Sequence, residues 1–100
     1  MELSEQTASA PLSIDVILER GIELRASDVH LTAGSPPAVR VHGHIELLHE
    51  FGELQPDDVR QLLYRITTTE MQKKLEIDRQ LDFAYGLRGK ARFQIGRAHV

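Results

Sequence analysis

The sequence predicts an α+β domain, a single antiparallel sheet covered by helices. Apolar residues recur with a 3.6-residue period in some segments and a two-residue period in others, the signatures of one-sided helices and half-buried strands. These segments follow one another as helix, three strands, two helices and two strands, without internal repeats. At 100 residues there is room for one small core.

Each element has a local reason. Ile14, Ile17, Leu18, Gly21 and Ile22 lie on one face of a helix expected from Ser13 to Arg25, with Ser13 as cap and Asp15 near the positive end of the dipole. Ser27 to Thr32 alternates polar and apolar residues like a strand. Gly34-Ser35-Pro36-Pro37 interrupts it, because proline removes donors and glycine permits positive φ. Ala38 to His42 and His44 to Leu48 then form a hairpin about Gly43. Pro56 suits the first position of a helix whose stripe is Val59, Leu62, Leu63 and Ile66, and Asp57 and Asp58 suit its first turn. Thr67 and Glu70 have capping-box spacing for a second helix, anchored by Met71 and Leu75 and running to Arg79. Leu81, Phe83, Tyr85 and Leu87 alternate on one strand, and Ala91, Phe93 and Ile95 on the next, with Arg88-Gly89 as the turn.

Composition excludes several functions. Twelve Lys and Arg against 15 Asp and Glu give a net charge of −3, which offers no basic field for nucleic acid or anionic lipid. Without cysteine there is no disulfide framework, thiolate metal site or cysteine nucleophile. No apolar run is long enough to span a bilayer. Met1 to Ala10 carries Glu2 and Glu5 and lacks the parts of a secretory signal, so residues 1–11 read as a flexible leader of a cytoplasmic chain.

Catalytic motifs are also missing. Gly86 to Ala91 is two residues too short for a phosphate loop, and Ala91 stands where a magnesium-binding hydroxyl is required, so a hairpin turn is the better reading. His30, His42, His44 and His49 show no helical ligand spacing and read as polar strand residues rather than zinc ligands. No serine sits in a nucleophile elbow. What remains is a polar strand face with Asp28, His30 and Arg40, either solvated or an interaction surface.

Two stretches resemble the PilT family of twitching-motility ATPases, within the secretion ATPase superfamily. Ala26 to Leu31, Thr32, Gly34, Pro36, Pro37, Arg40 and Gly43 match A-S-D-[LVI]-H-[LI]-[ST]-x-G-x-P-P-x-x-R-x-x-G. Asp82, Phe83, Ala84, Tyr85, Gly89, Ala91, Arg92 and Phe93 match D-F-[SA]-[FY]-x-x-x-G-x-A-R-F-R. The resemblance covers Leu12 to Phe93 and implies a PAS-like N-terminal domain over residues 12–94, without the RecA-like motor that carries the nucleotide site. No cofactor is then expected here, while ATP and magnesium belong to the full-length parent. The resemblance further implies a homo-hexamer at the inner-membrane platform of the pilus, with this domain against RecA-like domains of its own and neighbouring subunits. Asp28, His30 and Arg40 are the expected interface residues. Arg92 matches an arginine that reaches nucleotide phosphates, although an ion pair with a carboxylate is an equal reading. The alternative is a free-standing PAS-like sensor or protein-interaction module, which would need an apolar cavity between sheet and helix.

The end departs from the family, which continues with Arg, an apolar residue and usually Asn where this chain has Gln94-Ile95-Gly96. Ile95 to Val100 back-translates as ATC-GGA-AGA-GCA-CAC-GTC, the start of a common sequencing adapter, and a CAG codon for Gln94 supplies the preceding AG. Residues 95–100 are therefore expected to be a non-native tail outside the fold.

Overall fold

Helix α1 (Ile14–Leu24) buries Ile14, Ile17, Leu18 and Gly21 of the stripe that the period predicts, with Ile22 partly buried beside them. Ser13 caps it through its backbone alone: its carbonyl accepts the Ile17 N–H at 3.0 Å, and its side chain makes no cap hydrogen bond. Arg25 ends the helix in the left-handed region (φ 60°), and the Ala26 N–H donates to the Gly21 carbonyl at 2.8 Å. Gly21 lets the helix press on the sheet, since a Cβ there would lie 3.1 Å from Cε1 of Phe93.

The chain continues through β1 (Asp28–Thr32), β2 (Ala38–Val41), β3 (His44–Leu47), a 3-10 turn (His49–Phe51), α2 (Pro56–Tyr64), α3 (Thr69–Asp78), β4 (Gln80–Leu87) and β5 (Ala91–His99). The structure, a computed structural model, describes residues 12–87, 89 and 91–99. The expected leader and most of the turn at Arg88-Gly89 lie outside the described residues. Gly89 itself has φ 73°, as a turn glycine should.

The element order is the expected one, with two changes at helix starts. Asp58, assigned above to the dipole, also accepts the Gln55 N–H at 2.8 Å and closes the start of α2. The cap of α3 is Thr68, which accepts the Met71 N–H at 3.2 Å, rather than Thr67. Thr67 is engaged one turn back, donating its hydroxyl to the Leu63 carbonyl at 2.8 Å.

The sheet has the order β3-β2-β1-β5-β4. Three neighbouring pairs are antiparallel, as expected, but β1 and β5 run parallel, with Val29 beside Ile95. The sheet is therefore mixed. Each hairpin makes its own two strands antiparallel, whereas the seam between the hairpins follows from the long connection through α2 and α3. That seam extends past residue 94, where the fold was expected to end. Ile95 and Ala98 are fully buried, and His99 receives the Ala33 N–H at 3.0 Å.

One core joins the helices to one side of the sheet. It includes Val29, Leu31, Val39, Phe93 and Ile95 from the strands with Ile17, Leu18, Val59, Leu63 and Leu75 from the helices. Outside it, Glu76 ties α3 to α2: Arg60 donates its Nε to Oε2 at 2.9 Å, and the Tyr64 hydroxyl donates to the same oxygen at 2.7 Å. The Tyr64 bond first and the Arg60 bond second hold the Glu76 carboxyl below its ordinary value, and the hydrogen bond to Glu76 raises the Tyr64 phenol.

Two outcomes are expected. Ending the chain at Gln94 removes Ile95 and Ala98 from the core at a cost of about 3–5 kcal/mol, so the thermal midpoint should fall by more than about 15 °C or the cooperative transition should vanish. Because the folded-state pKa of Glu76 is depressed, its contribution is full above the ordinary value and is lost as pH falls through the folded one. The gap in thermal midpoint between wild type and Glu76→Gln should therefore be largest near neutral pH and close in acid. A gap independent of pH would count against this clamp.

Candidate interaction face

Strand alternation sends Val29, Leu31, Val39, Phe93 and Ile95 into the core and turns their neighbours to the opposite face of the sheet. The register then assembles that face row by row. Asp28 lies between Arg40 of β2 and Gln94 of β5, and His30 between Ala38 and Gly96. Asp28, His30 and Arg40 are thus brought together, on two adjacent strands, on the side away from the core.

The pairing within this group is loose. Arg40 Nε stands 3.9 Å from Asp28 Oδ1, and the Ser27 hydroxyl donates to that same oxygen. Arg40 also donates to the Gly43 carbonyl at 3.5 Å. An ion pair of this length and exposure contributes at most a few tenths of a kcal/mol, so it holds the side chains in position more than it holds the fold together. His30 Nε2 and Asp82 Oδ1 approach Gly96 from either side, each 3.9 Å from where a Cβ would be, so the face has a shallow floor there.

Arg92 occupies the same face but a different row. It pairs with Gly86, and its chain lies over that glycine, with Cγ 3.7 Å and Nη1 3.9 Å from a Cβ placed there. Among the described residues no carboxylate forms an ion pair with it. The absence of a side chain at Gly86 gives the guanidinium a lane along the sheet.

Ile45 and Leu47 were not among the expected site residues. All of β3 is exposed, and the register puts Ile45 opposite Arg40 and Leu47 opposite Ala38, on the same open face. They remain 48% and 45% exposed, which makes them an aliphatic border to the charged row. The signal was present in the sequence. Across a two-residue turn at His42-Gly43, paired residues sum to 85, so Ile45 must share a face with Arg40.

Other candidate chemistry does not converge. Among the described residues, no group of three or more His, Cys, Asp or Glu is placed to hold a metal ion. His42 sits in the hairpin turn at φ 51°. Gly86 and Leu87 end β4 and Ala91 begins β5, so the glycine-bearing segment between them is a hairpin connection. A groove of about 760 Å³ separates the start of α1 from α2, lined in part by Leu12, Asp57, Asp58, Arg60 and Tyr64; it is a surface cleft rather than a chamber between sheet and helix.

No protein-family model matches this chain. The type IV pilus retraction ATPase PilT of Pseudomonas aeruginosa is 32% identical over 84 residues, which is 84% of this chain and 24% of that protein. A crystal structure of the pilus retraction motor PilT with bound ADP superposes with a TM-score of 0.68 at 46% identity, again over 84% of this chain and 24% of the other. The chain spans about a quarter of the length of either relative. With the two motifs, the α+β fold and both similarities in agreement, this chain belongs to the PilT family of pilus retraction ATPases and corresponds to its N-terminal domain.

Proposed function

We propose that this domain is the non-catalytic arm of a hexameric pilus-retraction ATPase, passing ATP-driven motion between subunits. The observation that carries the reading is the one-sidedness of the sheet. Helices seal one face, while the other presents Asp28, His30 and Arg40 beside two exposed aliphatic side chains. Such a face, charged in the middle and apolar at its border, suits docking against a folded partner. The partner in this reading is the RecA-like domain of the same or a neighbouring subunit. That domain would hold ATP and magnesium, and the ring would stand on the cytoplasmic side of the inner-membrane pilus platform.

Arg92 is assigned a conditional role. A guanidinium stays charged and grips phosphate oxygens with two donors, so it could meet nucleotide bound by the adjoining domain. The sensor reading has less support, because the groove beside the start of α1 and α2 lies at the surface. Residues 95–100 are proposed to be non-native in origin although β5 runs on to His99; the source gene decides, since a natural stop codon after Val100 defeats that origin.

Two measurements test the proposal. The source gene should encode a G-x-x-x-x-G-K-[ST] loop within roughly 50 residues downstream, because cradling phosphates requires that spacing. In the full-length protein, Arg40→Glu with Leu47→Asp should lower ATP turnover at least about fivefold and weaken ring assembly. The same pair should leave the thermal midpoint of the 100-residue chain within about 3 °C, as both positions are partly exposed. Unchanged turnover and assembly would remove the face from the mechanism, and ATP hydrolysis by the 100-residue chain alone would overturn its non-catalytic assignment.

A further inference from the structure

Strand β3 is one of the two edges of the sheet, and the two edges are built differently. β4 is irregular between Leu81 and Phe83 and has α3 packed against it, both of which discourage a further strand. Among the described residues, β3 has no such irregularity and no helix in substantial contact with it. It is regular over all four residues, it contains no lysine or proline, and every residue in it is exposed.

The hairpin fixes which backbone groups are free. A two-residue turn is closed by a hydrogen-bonded pair, here Val41 with His44, and bonded and unbonded pairs then alternate. The Leu48 N–H donating to the Pro37 carbonyl at 2.7 Å confirms that phase. His44 and Glu46 therefore direct their backbone groups to β2, while the N–H and C=O of Ile45 and Leu47 point away from the sheet.

We infer that β3 pairs antiparallel with β3 of a second copy of this chain, about a two-fold axis at Ile45. In this register the two Ile45 residues exchange N–H···O=C bonds, using the groups the sheet leaves free. Their side chains, each 48% exposed in one copy, meet across the axis on the open face. On the other face, His44 of each copy stands opposite Glu46 of its mate, so the donor and the carboxylate complement each other twice. Shifting the register by one residue would set side chains from opposite faces against each other, and shifting it by two centres the axis on Glu46 and opposes two carboxylates. The acid at position 46 thus disfavours the Glu46-centred register. The strand is short, so the association is weak, with a dissociation constant on the order of 0.1–1 mM.

Sedimentation equilibrium of the 100-residue chain from about 0.02 to 2 mM tests the inference. Wild type should move from monomer toward dimer across that range. Ile45→Pro removes an outward N–H without breaking a bond to β2, and Ile45→Lys charges the axis; either should weaken dimerisation at least tenfold with an unchanged circular dichroism spectrum. His44→Glu should do the same by opposing Glu46, and His44→Glu with Glu46→His should restore the dimer. Because the chain lacks cysteine, the double variant His44→Cys with Glu46→Cys should form an intermolecular disulfide under mild oxidation. A strictly monomeric wild type at 2 mM overturns the inference. So does a dimer that both Ile45 variants leave intact, or one that the charge swap fails to rescue.

Discussion

Between the two hairpins runs a parallel seam, β1 against β5, with Val29 beside Ile95 and Asp28 beside Gln94. Without it the molecule would be two separate ribbons, each too small to keep a hydrophobic face dry. With it, β1 and β5 become the inner strands of a five-stranded sheet, and Val29, Leu31, Phe93 and Ile95 on them are almost fully withdrawn from water. The helices pack where this row is most apolar. Phe93 receives α1 at the bare backbone of Gly21, so a single glycine sets how closely helix and sheet approach. The same seam orders the opposite face, since every inward residue it fixes dictates an outward one.

Much of this was legible because local periodicity is a direct image of burial. The stripe of α1, the alternation of β1 and a turn at Gly43 each reflect a constraint satisfied within a few residues, although the turn also takes in His42, the expected end of the strand. The direction of the seam was not. Both orders of insertion satisfy two hairpins, and the choice depends on how a segment of more than 30 residues, carrying α2 and α3, crosses the core. The cap of α3 was missed for a related reason. Thr67 and Thr68 are chemically alike, and only the hydrogen bond from the Thr67 hydroxyl to the Leu63 carbonyl at the end of α2 sets them apart. The end of β5 failed differently. Inference from codons addresses where residues came from, whereas folding responds to side chains, and Ile95 continues the alternation of Ala91 and Phe93 whatever its origin.

The face followed the same division. Asp28, His30 and Arg40 were identified as polar residues on strands, and pairing brought them together because Asp28 and Arg40 share one rung. Ile45 and Leu47 escaped notice because β3 alternates histidine and glutamate with aliphatics, which reads as an ordinary half-buried strand with its apolar side inward. The register reverses that expectation. Pairing with Ala38 and Arg40 puts the aliphatics outward, where they stay nearly half exposed among the described residues. An apolar pair stranded on the solvent side of a small domain costs solubility, and a binding role is one way to account for its presence.

The two proposed contacts, one on the open face and one at the β3 edge, rest on different physics. The open face presents side chains, so its selectivity lies in charge and shape and it tolerates little change in either. The edge presents backbone groups common to every sequence, and selectivity there comes only from the side chains flanking the rung. Ile45 belongs to both, its backbone at the edge and its side chain on the face. A partner on the face would therefore cover part of what edge pairing uses, making the two contacts competitive wherever that partner reaches β3 and independent where it stops at β1. The position of Arg92, on the far side of β1 from β3, leaves room for the second arrangement.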